Sequence, residues 1–109
     1  MAMLFVTAAL GLLIGLAGLP LAAGRIKRNA WYGFRTPKTL SSDDVWYPAN
    51  RYAGRALAAA GAATVGLSLL ALPLGWVMPP AVSDWLALAL IMVPLGWAVL
   101  SCLLYLRKL

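Results

Sequence analysis

Apolar residues fall into three long uncharged runs, 1–24, 56–83 and 85–106, separated by one polar segment and, further on, by Asp84 alone. Each run exceeds the roughly 20 residues needed to cross about 30 Å of hydrocarbon. Lipid offers no partners to backbone N–H and C=O groups, so each run should be helical. The pattern therefore predicts an all-α integral membrane protein with three transmembrane helices, at about 3–23, 49–76 and 84–106. A structured loop over 24–55, holding a short helix, joins the first two and runs into the start of helix 2. At 109 residues the chain is a single domain over 1–109.

The first run has a competing reading as a secretory signal peptide, because Leu21-Ala22-Ala23 resembles a small-residue cleavage site. A signal peptide begins with a charged n-region and has a shorter apolar core of about 7–15 residues. This run lacks the charge and exceeds the length, so it is read as an uncleaved helix.

Within the helices, small residues recur at helical spacing. Ala8, Gly11, Gly15, Gly18 and Ala22 share one face of helix 1. On helix 2, Gly54, Ala58, Ala62 and Gly66 repeat every fourth residue. Such stripes let helix backbones approach closely, where van der Waals packing drives association. Packing of helices 1 and 2 within one subunit is the first expectation, and a homo-oligomer formed through one stripe is the alternative. Helix 2 should end near Leu74 to Trp76, before Pro79-Pro80. Ser83 is the expected cap of helix 3, with Asp84 beside its positive end. Pro94 should kink helix 3 near mid-membrane. Trp76 and Trp85 mark one membrane interface, and Tyr105 the other.

Charge then orients the spans. The net charge of +6 would suggest nucleic acid in a soluble protein, but here basic residues flank membrane helices and face anionic lipid. Arg25, Lys27, Arg28, Arg35, Lys38, Arg51 and Arg55 lie between helices 1 and 2, and Arg107 and Lys108 follow helix 3. No basic side chain lies on the opposite side. The expected location is the bacterial cytoplasmic membrane, with the N-terminus outside and both the loop and the C-terminus inside.

Several functions are excluded. No ionisable residue lies at mid-depth, as proton and ion pathways require. Three short helices cannot enclose a polar lumen. The chain has no histidine, and its single thiol, Cys102, lies in an apolar helix, so neither a metal site nor a nucleophile–base pair is implied. Asp43 and Asp44 are adjacent, and on a helix they diverge by about 100° rather than forming a carboxylate pair. The expectation is a protein that is not an enzyme and uses no cofactor.

The loop carries the only local pattern. Arg25 to Arg28 read as a juxtamembrane anchor for lipid headgroups. Gly33 permits positive φ, and Pro37 pushes Thr36 out of the helical region. Ser41 or Ser42 can cap a short helix beginning in Thr39–Trp46, with Asp43 and Asp44 beside its N-terminal dipole. Pro48 either breaks this turn from the next helix or opens that helix at its first position. Asn50 should point towards the helix–helix interface, with Arg51 and Arg55 on an adjacent face. Ion pairs between Arg35 or Arg51 and Asp43 or Asp44 would fold the loop back on the membrane, and Arg35, Arg51 and Arg55 could fork onto phosphate oxygens.

Taken together, Asn29-x-x-x-Gly33-x-Arg35-Thr36-Pro37-x-Thr39-Leu40-Ser41-Ser42-x-x-Val45-Trp46, followed by Asn50-Arg51-x-x-Gly54-Arg55, resembles the SdpI-like family of bacterial immunity proteins. The resemblance covers about residues 20–75. Arg28, Phe34 and Pro48 depart from the family's pattern, and three spans make a short member. The resemblance implies a membrane protein that binds or neutralises a membrane-active peptide toxin and signals to a cytoplasmic regulator through its loop. It marks Asn29, Gly33, Arg35, Thr36, Pro37, Trp46, Asn50, Arg51 and Arg55 as the ligand- or partner-binding set. The competing function is a small lipid-binding or accessory membrane protein with no toxin partner. Membrane lipids are expected partners in either case, and nucleic acid in neither.

Overall fold

The computed structural model describes residues 2–29 and 31–109. Three helices run up, down and up: α1 (Ala2–Ala22), α2 (Asp43–Ala71) and α3 (Pro80–Leu106). All three are long and apolar enough to cross a membrane. They form a rod with extents of 52 × 22 × 19 Å. A 3₁₀ turn at Thr39–Ser41 lies in the loop, and a second at Leu72–Trp76 tightens the end of α2.

The interior is built from small side chains. Ala53, Ala56, Ala60, Ala98 and Cys102 form one buried cluster, and Leu4, Ala71 and Ala87 another. Leu12, Leu13, Leu16 and Leu19 point outward. Leucine gains nothing by leaving lipid for protein, so close backbone approach by Gly and Ala organises the bundle instead. The closest approach joins α1 to α2. A Cβ on Gly54 would lie 2.2 Å from the Ala22 nitrogen, and one on Gly61 would lie 2.4 Å from the Gly11 carbonyl oxygen. Gly11, Gly15 and Gly18 face Thr64, Gly61 and Gly54 in turn.

The α2 face differs from the expected four-residue stripe. Four residues turn a helix by about 400°, so each step drifts by about 40°. Ala62 and Gly66 have consequently rotated outward and are exposed, and among the described residues nothing lies within 4 Å of where a Gly66 Cβ would stand. Seven residues turn it by about 700°, which places Gly61 below Gly54 on the contact face.

Three boundary expectations also change. Rather than breaking at Pro48, α2 runs unbroken from Asp43 with this proline in its second turn. The proline withholds a donor from the Asp44 carbonyl, but Asp44 is exposed and water can serve instead. The short helix of the loop is the separate 3₁₀ turn at Thr39–Ser41, while Ser42 is the N-cap position of α2 and makes no side-chain cap. Helix α3 begins at Pro80, behind Pro79 at the cap position. Ser83 is therefore buried inside α3 instead of capping it.

Pro94 lies inside α3 and withholds the N–H that would have met the Leu90 carbonyl. The Thr64 hydroxyl of α2 donates to that carbonyl at 3.0 Å. A neighbouring helix thus satisfies the group that the proline leaves open, which is how membrane helices tolerate proline.

Candidate functional site

Between α1 and α2 the loop folds into a cap over one end of the bundle, and its motif residues build that cap. At its start, Gly24 (φ 71°) closes α1: the Arg25 N–H donates to the Pro20 carbonyl at 3.1 Å and the Gly24 N–H to Leu21 at 3.0 Å. This pairing is a Schellman motif, which needs a left-handed residue at the position Gly24 occupies.

Asn29 makes the next turn. Its Oδ1 accepts the Trp31 and Tyr32 N–H groups at 2.9 and 2.7 Å, and its Nδ2 donates to the Lys27 carbonyl at 2.7 Å. The Tyr32 hydroxyl donates to the Ala17 carbonyl of α1. Further on, Thr36 and Thr39 clasp one another: the Thr36 N–H donates to Thr39 Oγ1 at 2.7 Å, and the Thr39 N–H to Thr36 Oγ1 at 3.1 Å. Thr39 is fully buried, whereas Pro37 beside it is exposed.

Asn50, Gly33 and Trp46 meet at the centre. Asn50 Oδ1 accepts the Phe34 N–H at 2.7 Å, and its Nδ2 donates to the Trp46 carbonyl at 2.9 Å and to the Phe34 carbonyl at 3.3 Å. The amide therefore pairs with loop backbone as a strand would, rather than lying between two helices as its position in the small-residue stripe suggested. Gly33 (φ 112°) leaves room for this, since a Cβ would stand 2.6 Å from Asn50 Oδ1 and 3.3 Å from the Trp46 ring. Trp46 is wholly buried and donates its indole N–H to the Ile26 carbonyl at 2.9 Å.

The cap is also tied to α3. Lys38 Nζ donates to the Leu106 carbonyl at 2.9 Å, where a cation meets the negative end of the helix. The Tyr52 and Tyr105 rings stack with centroids 4.3 Å apart. Lys38 and Thr39 were absent from the expected site set. A threonine three residues from Thr36 and a lysine at the loop's turn are common features, and nothing in the sequence singles them out.

The arginines take different places. Arg35, Arg51 and Arg55 are exposed. Arg51 leans across the end of α1, where a Cβ on Gly24 would lie 2.7 Å from its Nε. Among the described residues Asp43 pairs with Arg28 at 3.7 Å, a partner outside the expected choice of Arg35 or Arg51 with Asp43 or Asp44. Arg28 stands on the same side of the loop as the start of α2, and the exposed pair adds at most about 1 kcal/mol.

Beneath the cap lies an apolar cavity of about 250 Å³. Gly33 and Phe34 roof it, and Ala53, Ala98 and Cys102 line its inner wall. Ala17, Val99 and Leu103 at its rim are exposed, so it opens outward between α1 and α3. A second, wider groove, between the end of α1 and the Asn29 turn, is lined by Arg25, Lys27, Arg28 and Trp31.

The model of the SdpI/YfhL protein family matches residues 25–105, and the chain belongs to that family. No curated protein and no solved structure matches it. At the level of the family it is a multi-pass membrane protein of the immunity type.

Proposed function

We propose that this chain protects a bacterial cytoplasmic membrane by binding and neutralising a membrane-active peptide at the cap end of the bundle. The supporting observation is the apolar cavity under Gly33 and Phe34, which opens sideways between α1 and α3. An apolar side chain of a peptide lying in the bilayer could enter it without crossing water. Because Phe34 is held by Asn50, an occupant would press on the loop that carries Arg35, near Arg51 of α2, and these exposed arginines could meet a cytoplasmic regulator. In this reading the N-terminus is outside and the cap is cytoplasmic, in keeping with nine basic residues gathered at the cap end. The protein acts by binding rather than by catalysis.

The test is expression in sensitive cells challenged with candidate toxin peptides. Wild-type chain should protect. Ala17→Trp and Val99→Trp, which crowd the cavity's rim, should lose protection at unchanged membrane level. Arg35→Ala and Arg51→Ala should also lose it while remaining in the membrane. Protection that survives both rim variants refutes the cavity as the peptide's site. Loss of folded protein in both arginine variants would assign those residues to structure instead.

A further inference from the structure

Beside the cavity under Phe34, a second groove lies at the end of α1. Its lining combines Pro20, in the last turn of α1, Ile26 and Trp31 with the cations Arg25, Lys27 and Arg28. Apolar surface and cations meet where the uncharged span gives way to the charged loop, at the level of the membrane–water boundary. Trp31 is 80% exposed, an uncovered indole at a depth where tryptophan ordinarily lies among headgroups.

The walls are fixed in place. The Schellman closure at Gly24 sets the direction in which Arg25 leaves the helix. Asn29 bonds both the Lys27 carbonyl and the Trp31 N–H, tying the backbone that carries the groove's cations to the backbone that carries its indole. Asp43 holds Arg28 at 3.7 Å and neutralises one of the three charges, leaving the groove positive.

We infer that this groove is a binding site for an anionic phospholipid, with the phosphate between Arg25 and Lys27 and the upper acyl chain against Pro20, Ile26 and Trp31. A soluble phosphate compound would use only the cations and leave the apolar lining empty. A zwitterionic lipid brings its own cation to a groove already positive.

The test is quenching of tryptophan fluorescence by brominated phosphatidylglycerol or brominated phosphatidylcholine, for the full chain in phosphatidylcholine bilayers. The part lost in Trp31→Phe isolates the groove from the other four tryptophans. The phosphatidylglycerol should quench Trp31 at far lower mole fraction than the phosphatidylcholine. Neutralising both cations in Arg25→Gln/Lys27→Gln should weaken that preference roughly thirtyfold, at about fivefold per charge. Arg107→Gln/Lys108→Gln, which removes equal charge at the same end, should leave it unchanged. If the double variant does not fold, the single variants at these exposed positions should each read about fivefold. Equal loss in the Arg107/Lys108 control refutes a site in favour of general attraction. Absence of any preference in the wild-type chain, or equal competition by soluble glycerol phosphate, also overturns the inference.

Discussion

Replacing Asn50 by alanine should open the cap without separating the helices. The side chain is 2% exposed and makes three contacts to backbone. They differ in worth. The Trp46 carbonyl lies within α2 and can accept from its own helix, so losing the Nδ2 bond there costs little. The 3.3 Å contact to the Phe34 carbonyl is long. The Phe34 N–H is the costly loss, because Oδ1 is its 2.7 Å acceptor in a half-buried place. An unsatisfied donor costs about 1–3 kcal/mol, and the lesser bonds add about 1 kcal/mol. The expected destabilisation of the cap is thus about 2–4 kcal/mol, or roughly thirty- to several-hundred-fold in its opening equilibrium.

Hydrogen exchange in detergent micelles measures this directly. The informative amides are Tyr32 and Leu40, which bond to Asn29 and Thr36 and not to Asn50. Both should exchange faster by that factor, while amides of α1 facing Gly54 and Gly61 keep their protection. Asn50→Asp keeps an acceptor for Phe34 but loses both donors and adds charge, so it should also open the cap. Unchanged exchange at Tyr32 and Leu40 in Asn50→Ala would refute the clamp. Equal acceleration throughout α1 and α2 would show that Asn50 supports the whole bundle rather than the loop.

Gly61→Leu should cost at least about 2–3 kcal/mol in reversible mixed-micelle unfolding, since its side chain meets the backbone of Gly11 and Gly15. Ala62→Leu, one residue on and exposed, should stay within about 0.5 kcal/mol of wild type, and similar costs for the two would contradict the face assigned to α2. Thr64→Val should cost about 1–2 kcal/mol, and markedly less when Pro94→Ala restores a helical donor to the Leu90 carbonyl; a purely additive double-mutant cycle would disprove the compensation. Asp43→Asn should change the melting temperature by no more than a few degrees, because the Arg28 pair is exposed; a large drop would point to a role for Asp43 beyond that pair.

By itself the sequence determined the elements. Three uncharged runs, each long enough to span hydrocarbon, admit only helices, and α1 and the C-terminal end of α3 fall within a residue of where that argument put them, whereas α2 stops at Ala71 and passes into the 3₁₀ turn at Leu72–Trp76. The Arg-Thr-Pro and Asn-Arg strings carried the family resemblance, and the family match over residues 25–105 agrees with it. Positions within the loop were legible as turn chemistry at Gly33 and Thr36, because φ preference and proline sterics are local. What the motif residues hold was not legible. Asn50 reaches back to Phe34, sixteen positions away, and Lys38 reaches Leu106, sixty-eight away. Such partners depend on how α1, α2 and α3 close on one another. Which small residues of α2 face α1 was also a tertiary matter: a four-residue repeat drifts around the helix, and only the crossing with α1 selects Gly61 over Ala62. The fold of the loop's start brings Arg25, Lys27 and Arg28 into one groove with Pro20, Ile26 and Trp31, where their order in the chain indicated only an anchor. Local sterics and burial in lipid act residue by residue along the chain, whereas pairing across the bundle exists only once the helices have met.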